Sequence, residues 1–152
     1  MEWVALGFSG FVATILALVF FWLARSFHWT TFSPTILLGC LVLPDARRPL
    51  TETAGFLLLL LGGSTVGAVL FRTILEGASL RGWLGGVAVG GVMGILISVV
   101  SPLVGMNTAC VRAGSIPPPG PFGIAWGRAT PAVILMGSVV YGVSFAAIHA
   151  GF

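Results

Sequence analysis

The chain has 152 residues, of which 57% are hydrophobic and only 7% are charged, and its mean hydropathy is +1.09. Soluble domains carry about 25% charged residues, and a soluble chain of this length could not hide so much apolar surface in one core. The composition therefore excludes a soluble globular domain and predicts an integral membrane protein. All seven basic residues are arginine and they form no basic run, so we expect no nucleic-acid partner.

Four apolar segments are long enough to cross a bilayer, which takes about 20 residues of helix. They lie at about 3–24, 54–74, 84–105 and 131–151. They predict an all-α fold, a four-helix bundle in which residues 1–152 form a single transmembrane domain. The first segment runs into Arg25 without a small-residue cleavage site, so we expect a retained helix rather than a signal peptide.

Each of the two long loops contains a distinctive segment. Between the first two spans lies PTILLGCLVLP, residues 34–44, which is too short to cross the bilayer. Ser33 and Pro34 form a helix start and Pro44 a helix stop, so we predict a short interfacial or re-entrant helix; the competing interpretation is a buried segment that caps the bundle. The proline run PPPGP in the other loop predicts an extended spacer, with a docking strip for a partner as the second interpretation.

The third span carries a small residue at every fourth position. These residues are Gly82, Gly86, Gly90, Gly94 and Ser98. Steps of four residues advance about 400° around a helix, so the stripe drifts across one half of its surface and leaves the other half for lipid contact. Matching small residues in the fourth and second spans are Ser138, Gly142, Ala146, Gly63 and Gly67. This GxxxG-type pattern predicts close packing against up to two neighbouring helices, and a ligand cleft along the same face is the second interpretation.

Polar residues near the centres of the spans are Thr14, Ser64, Thr65 and Tyr141. Their hydroxyls either form one belt or, for serine and threonine, bond to a carbonyl of their own helix. Tyr141 needs a partner on another helix. No ionisable side chain other than this phenol lies at a span centre, which disfavours proton relays and ion-coupled transport.

Candidate cofactor and metal ligands are few. His28 and His149 lie on opposite sides of the membrane, so they cannot be the two axial ligands of one haem. Each is expected to be a single tetrapyrrole ligand at most, or a plain interfacial histidine. His28, Cys40, Met106 and Cys110 share one side but match no metal motif, so we predict no metal site and identify no cofactor, with a bound lipid or tetrapyrrole as the ligand classes left open. No catalytic constellation is found, so we predict no enzyme.

Arginine placement predicts the orientation. The loops after spans one and three hold Arg25, Arg47, Arg48, Arg112 and Arg128, whereas the opposite side holds Arg72 and Arg81. By the positive-inside bias these loops are cytoplasmic, and both termini lie on the non-cytoplasmic side of a bacterial cytoplasmic membrane. A disulfide between Cys40 and Cys110 would need an oxidising compartment and conflicts with this orientation.

The same loops form a basic and aromatic rim at the level of the lipid headgroups. Its members are Arg47, Arg48, Arg112 and Arg128, together with Trp29 and Trp126. Contact with lipid headgroups is the ordinary interpretation of such a rim, and recognition of a phosphorylated amphiphile is the sharper hypothesis.

Several stretches together resemble a known family layout. They are GFSGFVATILALVFFWLAR, SPTILLGCLV, RGWLGGVAVGGVMG, PPPGPFGIAWG and SVVYGVSF. Their order is similar to that of a poorly characterised family of bacterial four-helix membrane proteins of unknown function. The resemblance implies the fold and supplies no activity. The family pattern includes a histidine before the YG pair, where this chain has Met136, Gly137 and Ser138, so a role that depends on that histidine does not carry over.

Taken together, these features predict a non-catalytic accessory or scaffold subunit that packs on a larger energy-transducing or transport complex. Its expected partners are membrane lipids and other membrane protein subunits. The alternative is a small-molecule binder or channel-like carrier for a lipid, quinone or pigment, which would use the glycine-lined helix face.

Overall fold

The computed structural model describes residues 2–43 and 47–151, and every regular element in these ranges is helical. The helices in chain order are α1 (Glu2–Ser26), α2 (Pro34–Val42), α3 (Arg48–Gly62), α4 (Ala68–Gly77), α5 (Gly82–Asn107), α6 (Ala109–Arg112) and α7 (Thr130–His149). A π-helical turn, Gly63–Gly67, joins α3 and α4 into one continuous rod, and a short 3₁₀ segment, Pro121–Trp126, precedes α7. Within the described residues, α1, the α3–α4 rod, α5 and α7 are long and apolar enough to span a membrane. The prediction of an all-helical chain with four helices long and apolar enough to cross a membrane is confirmed.

Helices α5 and α7 approach each other backbone to backbone. A Cβ atom placed on Gly90 would lie 2.6 Å from the carbonyl oxygen of Ser138, and one placed on Gly94 would lie 2.8 Å from the Cα of Leu135. A Cβ on Gly86 would meet the backbone of α7 one turn further along. In hydrocarbon, where there is no hydrophobic drive between helices, such close contact is the main source of attraction between them.

Two glycines of the third span stand outside this contact. Gly82 begins α5 with a φ of +66°, and neither it nor Gly91 has another group within 4 Å of the place where a Cβ would stand. Near the end of the rod, Gly85 lies against Leu75 of α4 and against Leu80 in the loop that follows. The small-residue stripe therefore packs mainly on α7, while Val89 on the same helix shares a buried cluster with Ala68 and Phe71 of the rod.

The π-helical turn lies in the middle of the rod. Tyr141 of α7 donates its hydroxyl to the carbonyl oxygen of Gly63 at 2.7 Å, so a carbonyl in this irregular turn has a partner inside the bundle. Thr14 of α1 packs on Gly63 and Tyr141 lies near Gly67. The hydroxyls of Thr14, Ser64 and Thr65 donate to carbonyls of their own helices. These four side chains therefore do not form one belt of hydroxyls across the bundle.

A disulfide joins Cys40 of α2 to Cys110 of α6, with 5.9 Å between the two Cα atoms and a sequence separation of 70 residues. This bond is contrary to the orientation predicted from the arginines, which places both cysteines on the cytoplasmic side. The structure contains it because α2 folds back along α3 and lies beneath the loop that follows α5. Its two sulfurs are therefore not thiolates for a metal, which removes them from the constellation with His28 and Met106.

The α2–α3 hairpin holds the first cysteine in place. Ser33 caps α2 as the sequence predicts, since its Oγ accepts the Ile36 N–H at 3.4 Å, whereas the predicted stop at Pro44 lies outside the described residues. A Cβ placed on Gly39 would overlap the carbonyl of Thr51, and one placed on Gly55 would overlap the carbonyl of Thr35. Two glycines thus let the short helix lie directly against α3.

Candidate functional site: a cavity at the disulfide end

A cavity of about 500 Å³ opens at the end of the bundle that carries the disulfide. Besides the two cysteines, its polar lining residues are Arg25, Thr31, Ser33, Arg48, Thr51 and Ser115, and its apolar ones are Phe32, Ile36, Leu37, Ile116, Pro117 and Trp126. A volume of this size, with mostly apolar walls and a few polar groups, is typical of sites for small organic ligands. We call it the headgroup cavity.

Trp126 holds one wall of the headgroup cavity together. Its indole N–H donates to the Pro117 carbonyl at 3.0 Å, and its own carbonyl accepts both the backbone N–H and the hydroxyl of Thr31, at 2.7 and 2.8 Å. Its ring packs on Phe32 with 5.2 Å between centroids. Only 4% of Trp126 is exposed. The rim interpretation is therefore wrong for this residue: it is an internal anchor, because the proline-rich loop folds back over it instead of projecting as a spacer.

The second wall of the cavity is the segment between α1 and α2. Thr30 and Thr130 bond hydroxyl to hydroxyl at 2.6 Å, both buried, and the Thr30 Oγ1 also accepts the Phe32 N–H at 3.0 Å. These bonds hold the segment between α1 and α2 against the start of α7, so that Ser33 and Phe32 face the headgroup cavity.

The cavity has a positive electrostatic character. Arg25 and Arg48 line it, and no carboxylate is among the described residues that do so. Glu52 approaches Arg25 from outside the cavity, with 3.7 Å between the charged atoms. Among the described residues at this site, the two arginines and Glu52 give a net charge of +1 (2 − 1). The ion pairs among residues 2–43 and 47–151 do not include Arg48, and a guanidinium is suited to bind an anion through two parallel hydrogen bonds.

The residues predicted as a headgroup rim are divided by the structure. Arg47, Arg48, Arg112 and Arg128 are all exposed at this end of the bundle, but of these four only Arg48 lines the cavity. The second cavity arginine, Arg25, entered the sequence analysis only through the orientation count.

The two histidines lie at opposite ends of the bundle and do not approach each other. His28 is exposed and has a φ of 59° just beyond the end of α1. The ring of His149 stacks on Phe145 with 5.4 Å between centroids. Neither lines the headgroup cavity. Among the described residues, no three histidine, cysteine, aspartate or glutamate side chains are placed to hold a metal ion together.

The residues that build the cavity's framework carry no pattern in the sequence that would predict them. Gly39 and Gly55 are isolated glycines without a repeat, and Thr31 and Ser115 carry no motif. The one available signal was the presence of two cysteines in separate loops on the same side of the membrane, because a bond between them brings these loops together. Comparisons of the chain with protein-family models, curated proteins and solved structures find no match.

Proposed function

We propose that this protein binds a membrane amphiphile with an anionic, phosphate-bearing headgroup. The observation that supports the proposal is that Arg25 and Arg48 both line one cavity at the end of the apolar spans, which is the level of the lipid headgroups in a bilayer. Arginine is suited to phosphate because its planar guanidinium donates two parallel hydrogen bonds to the phosphate oxygens. Serine and threonine hydroxyls on the same walls offer further donors.

The test compares two lipids with identical chains. Purified protein in mild detergent is titrated with phosphatidic acid and with diacylglycerol, and bound lipid is measured by native mass spectrometry. We expect phosphatidic acid to bind and diacylglycerol to bind far more weakly. Arg48→Gln should weaken phosphatidic acid binding about tenfold or more, since hydrogen bonds to charged groups contribute about 1.5–3 kcal/mol and tenfold corresponds to about 1.4 kcal/mol.

Arg81→Gln is the matched control, because Arg81 is an exposed arginine at the opposite end of the bundle. Equal binding of the two lipids, or an equal loss in both arginine variants, would contradict the proposal. The first result would show that the phosphate is not recognised, and the second that only the total charge matters.

We also infer that the headgroup cavity faces the non-cytoplasmic side and that both termini are cytoplasmic, the reverse of the arginine-based expectation. Two signals conflict here: five arginines against two favour a cytoplasmic cavity, and the Cys40–Cys110 disulfide favours an oxidising compartment. We give the disulfide more weight because ligand binding supplies a separate reason for arginines at that end. A reducing compartment, by contrast, would convert the disulfide to two thiols.

Fusions to the C-terminus of the full chain test the orientation. A fused green fluorescent protein should fluoresce and a fused alkaline phosphatase should be inactive, since the first matures in the cytoplasm and the second needs an oxidising compartment for its own disulfides. The opposite pair of results would restore the arginine-based orientation.

The accessory-subunit function predicted from the sequence is the second candidate. It is favoured by the small part of the α3–α4 rod that other helices of the chain cover. In the most apolar 18 residues of this rod 17% of the residues are buried, against 33% in each of the other three spans. A photoreactive amino acid at Val66, which is 71% exposed on the rod, should then give a discrete crosslink to a second polypeptide. The same amino acid at Val92 on α5 serves as the control, and crosslinking to lipid alone at both positions would contradict this candidate.

A further inference from the structure

A second concavity, of about 470 Å³, runs along the outer side of the bundle between α1 and α3. We call it the chain groove. Its walls are mainly apolar, with Leu18 and Val19 from α1 and Phe56 from α3. Arg25 and Ser33 line both the chain groove and the headgroup cavity, so the two spaces adjoin at these residues.

The polarity along the two adjoining spaces follows that of a lipid molecule, from a charged headgroup to an apolar hydrocarbon chain. On one side of Arg25 lies the cavity with its two arginines, and on the other side the apolar chain groove extends back along α1 as far as Ile15. Ten residues of helix separate Ile15 from Arg25, which corresponds to about 15 Å along the axis. This length runs from the headgroup level toward the bilayer centre. The groove is open to the surrounding lipid, because Val19 is 48% exposed on its wall.

We propose that the chain groove holds a hydrocarbon chain of the same lipid whose phosphate occupies the headgroup cavity, and that this lipid enters sideways from the surrounding leaflet. The inference rests on the proposed function and adds the substrate class: a phosphorylated lipid with at least one long chain, not a soluble phosphate ester. Because the chain leaves one apolar environment for another, the groove contributes through van der Waals fit and not through a hydrophobic gain. It therefore determines where the chain lies and which lipids fit.

The experiment maps the position of the chain directly. The protein is reconstituted into phosphatidylcholine vesicles that contain phosphatidic acid with a photoreactive diazirine midway along one chain, and the crosslinked residues are identified by mass spectrometry. We expect crosslinks to concentrate on the groove residues Ile15, Leu18, Trp22 and Phe56, and to decrease several-fold with an excess of unmodified phosphatidic acid but not of diacylglycerol. Crosslinks spread equally over the outer face of α5, around Val92, would overturn the inference.

Two matched variants make the result specific. Val19→Trp should fill the chain groove and reduce crosslinking at Ile15, Leu18, Trp22 and Phe56 several-fold. Leu16→Trp adds the same ring at a residue of α1 that is 43% exposed and does not line the groove, and it should leave the crosslinks unchanged. Equal effects of the two variants would overturn the inference.

The variant Arg48→Gln separates failure of this inference from failure of the proposed function. If it lowers phosphatidic acid binding while the crosslinks of the unmodified protein are spread over all lipid-facing surfaces, the headgroup cavity stands and the chain groove fails. If it changes neither binding nor crosslinking, the proposed function fails as well. Support for both requires weaker binding together with loss of the groove crosslinks.

Discussion

Replacement of Gly90 by alanine tests the backbone contact between α5 and α7. The added Cβ would stand 2.6 Å from the carbonyl oxygen of Ser138, whereas ordinary contacts of a Cβ begin near 3.4 Å. The two helices must therefore separate locally by about 0.8 Å (3.4 − 2.6), and backbone atoms, unlike the end of a flexible side chain, cannot turn aside. Overpacking of this kind costs about 1–3 kcal/mol.

Gly91 provides a control in the same helix, one residue away. A Cβ there would have open space around it, so Gly91→Ala should cost nothing in packing and stabilise α5 by about 0.5–1 kcal/mol through helix propensity. Because both variants gain the same helix propensity, their free energies of unfolding should differ by the overpacking cost alone, about 1–3 kcal/mol, with Gly90→Ala the less stable.

The measurement is equilibrium unfolding in mixed micelles with increasing mole fraction of sodium dodecyl sulfate, followed by tryptophan fluorescence and by circular dichroism. Two results would refute the reasoning. If Gly90→Ala is as stable as Gly91→Ala, the helices do not touch through this glycine. If both variants lose stability equally, the loss of unfolding free energy arises within α5 itself and not from its contact with α7.

Three further substitutions probe the disulfide end and the π-helical turn. Trp126→Ala should lower the free energy of unfolding by about 3–5 kcal/mol, because it empties a buried site, while Trp83→Ala, at a residue 61% exposed, should change it by less than about 0.5 kcal/mol in the same micelle assay. Tyr141→Phe removes the donor to the Gly63 carbonyl and should cost about 0.5–1.5 kcal/mol; an unchanged midpoint would show that this bond contributes nothing. Cys110→Ser should cost about 2–4 kcal/mol and should make the protein insensitive to dithiothreitol, whereas the unmodified protein should lose the same amount on reduction.

The spans were predictable because a bilayer fixes the length of apolar helix that can cross it. The predicted segment 84–105 corresponds to α5 at Gly82–Asn107, and 131–151 corresponds to α7 at Thr130–His149. The second span was harder, since the helix begins at Arg48, well before the predicted residue 54. Polar residues in its first turns hid this start from a scan for apolar runs, although a helix can continue beyond the hydrocarbon.

The candidate site was predictable only in its chemistry. Arginines and aromatic side chains in the loops indicated contact with headgroups, and Arg48 does line the cavity. The way the loops fold over each other decides which second arginine lines the cavity. It also decides that Trp126 is buried and does not lie at the membrane interface. Loop residues have no fixed periodicity, so their spacing in sequence carries no information about which of them meet.

The sequence by itself determined that this chain suits the apolar environment of a lipid bilayer. It also determined the number and length of the membrane helices and the presence of a helix with a small-residue face. These features are predictable because hydrophobicity and helical period are local properties. The tertiary structure alone decided that this face packs on α7, that Gly39 and Gly55 bring α2 against α3, and that Cys40 reaches Cys110. These contacts join residues far apart in the chain, and each depends on the positions of whole helices. The headgroup cavity exists only as the space that they leave between them.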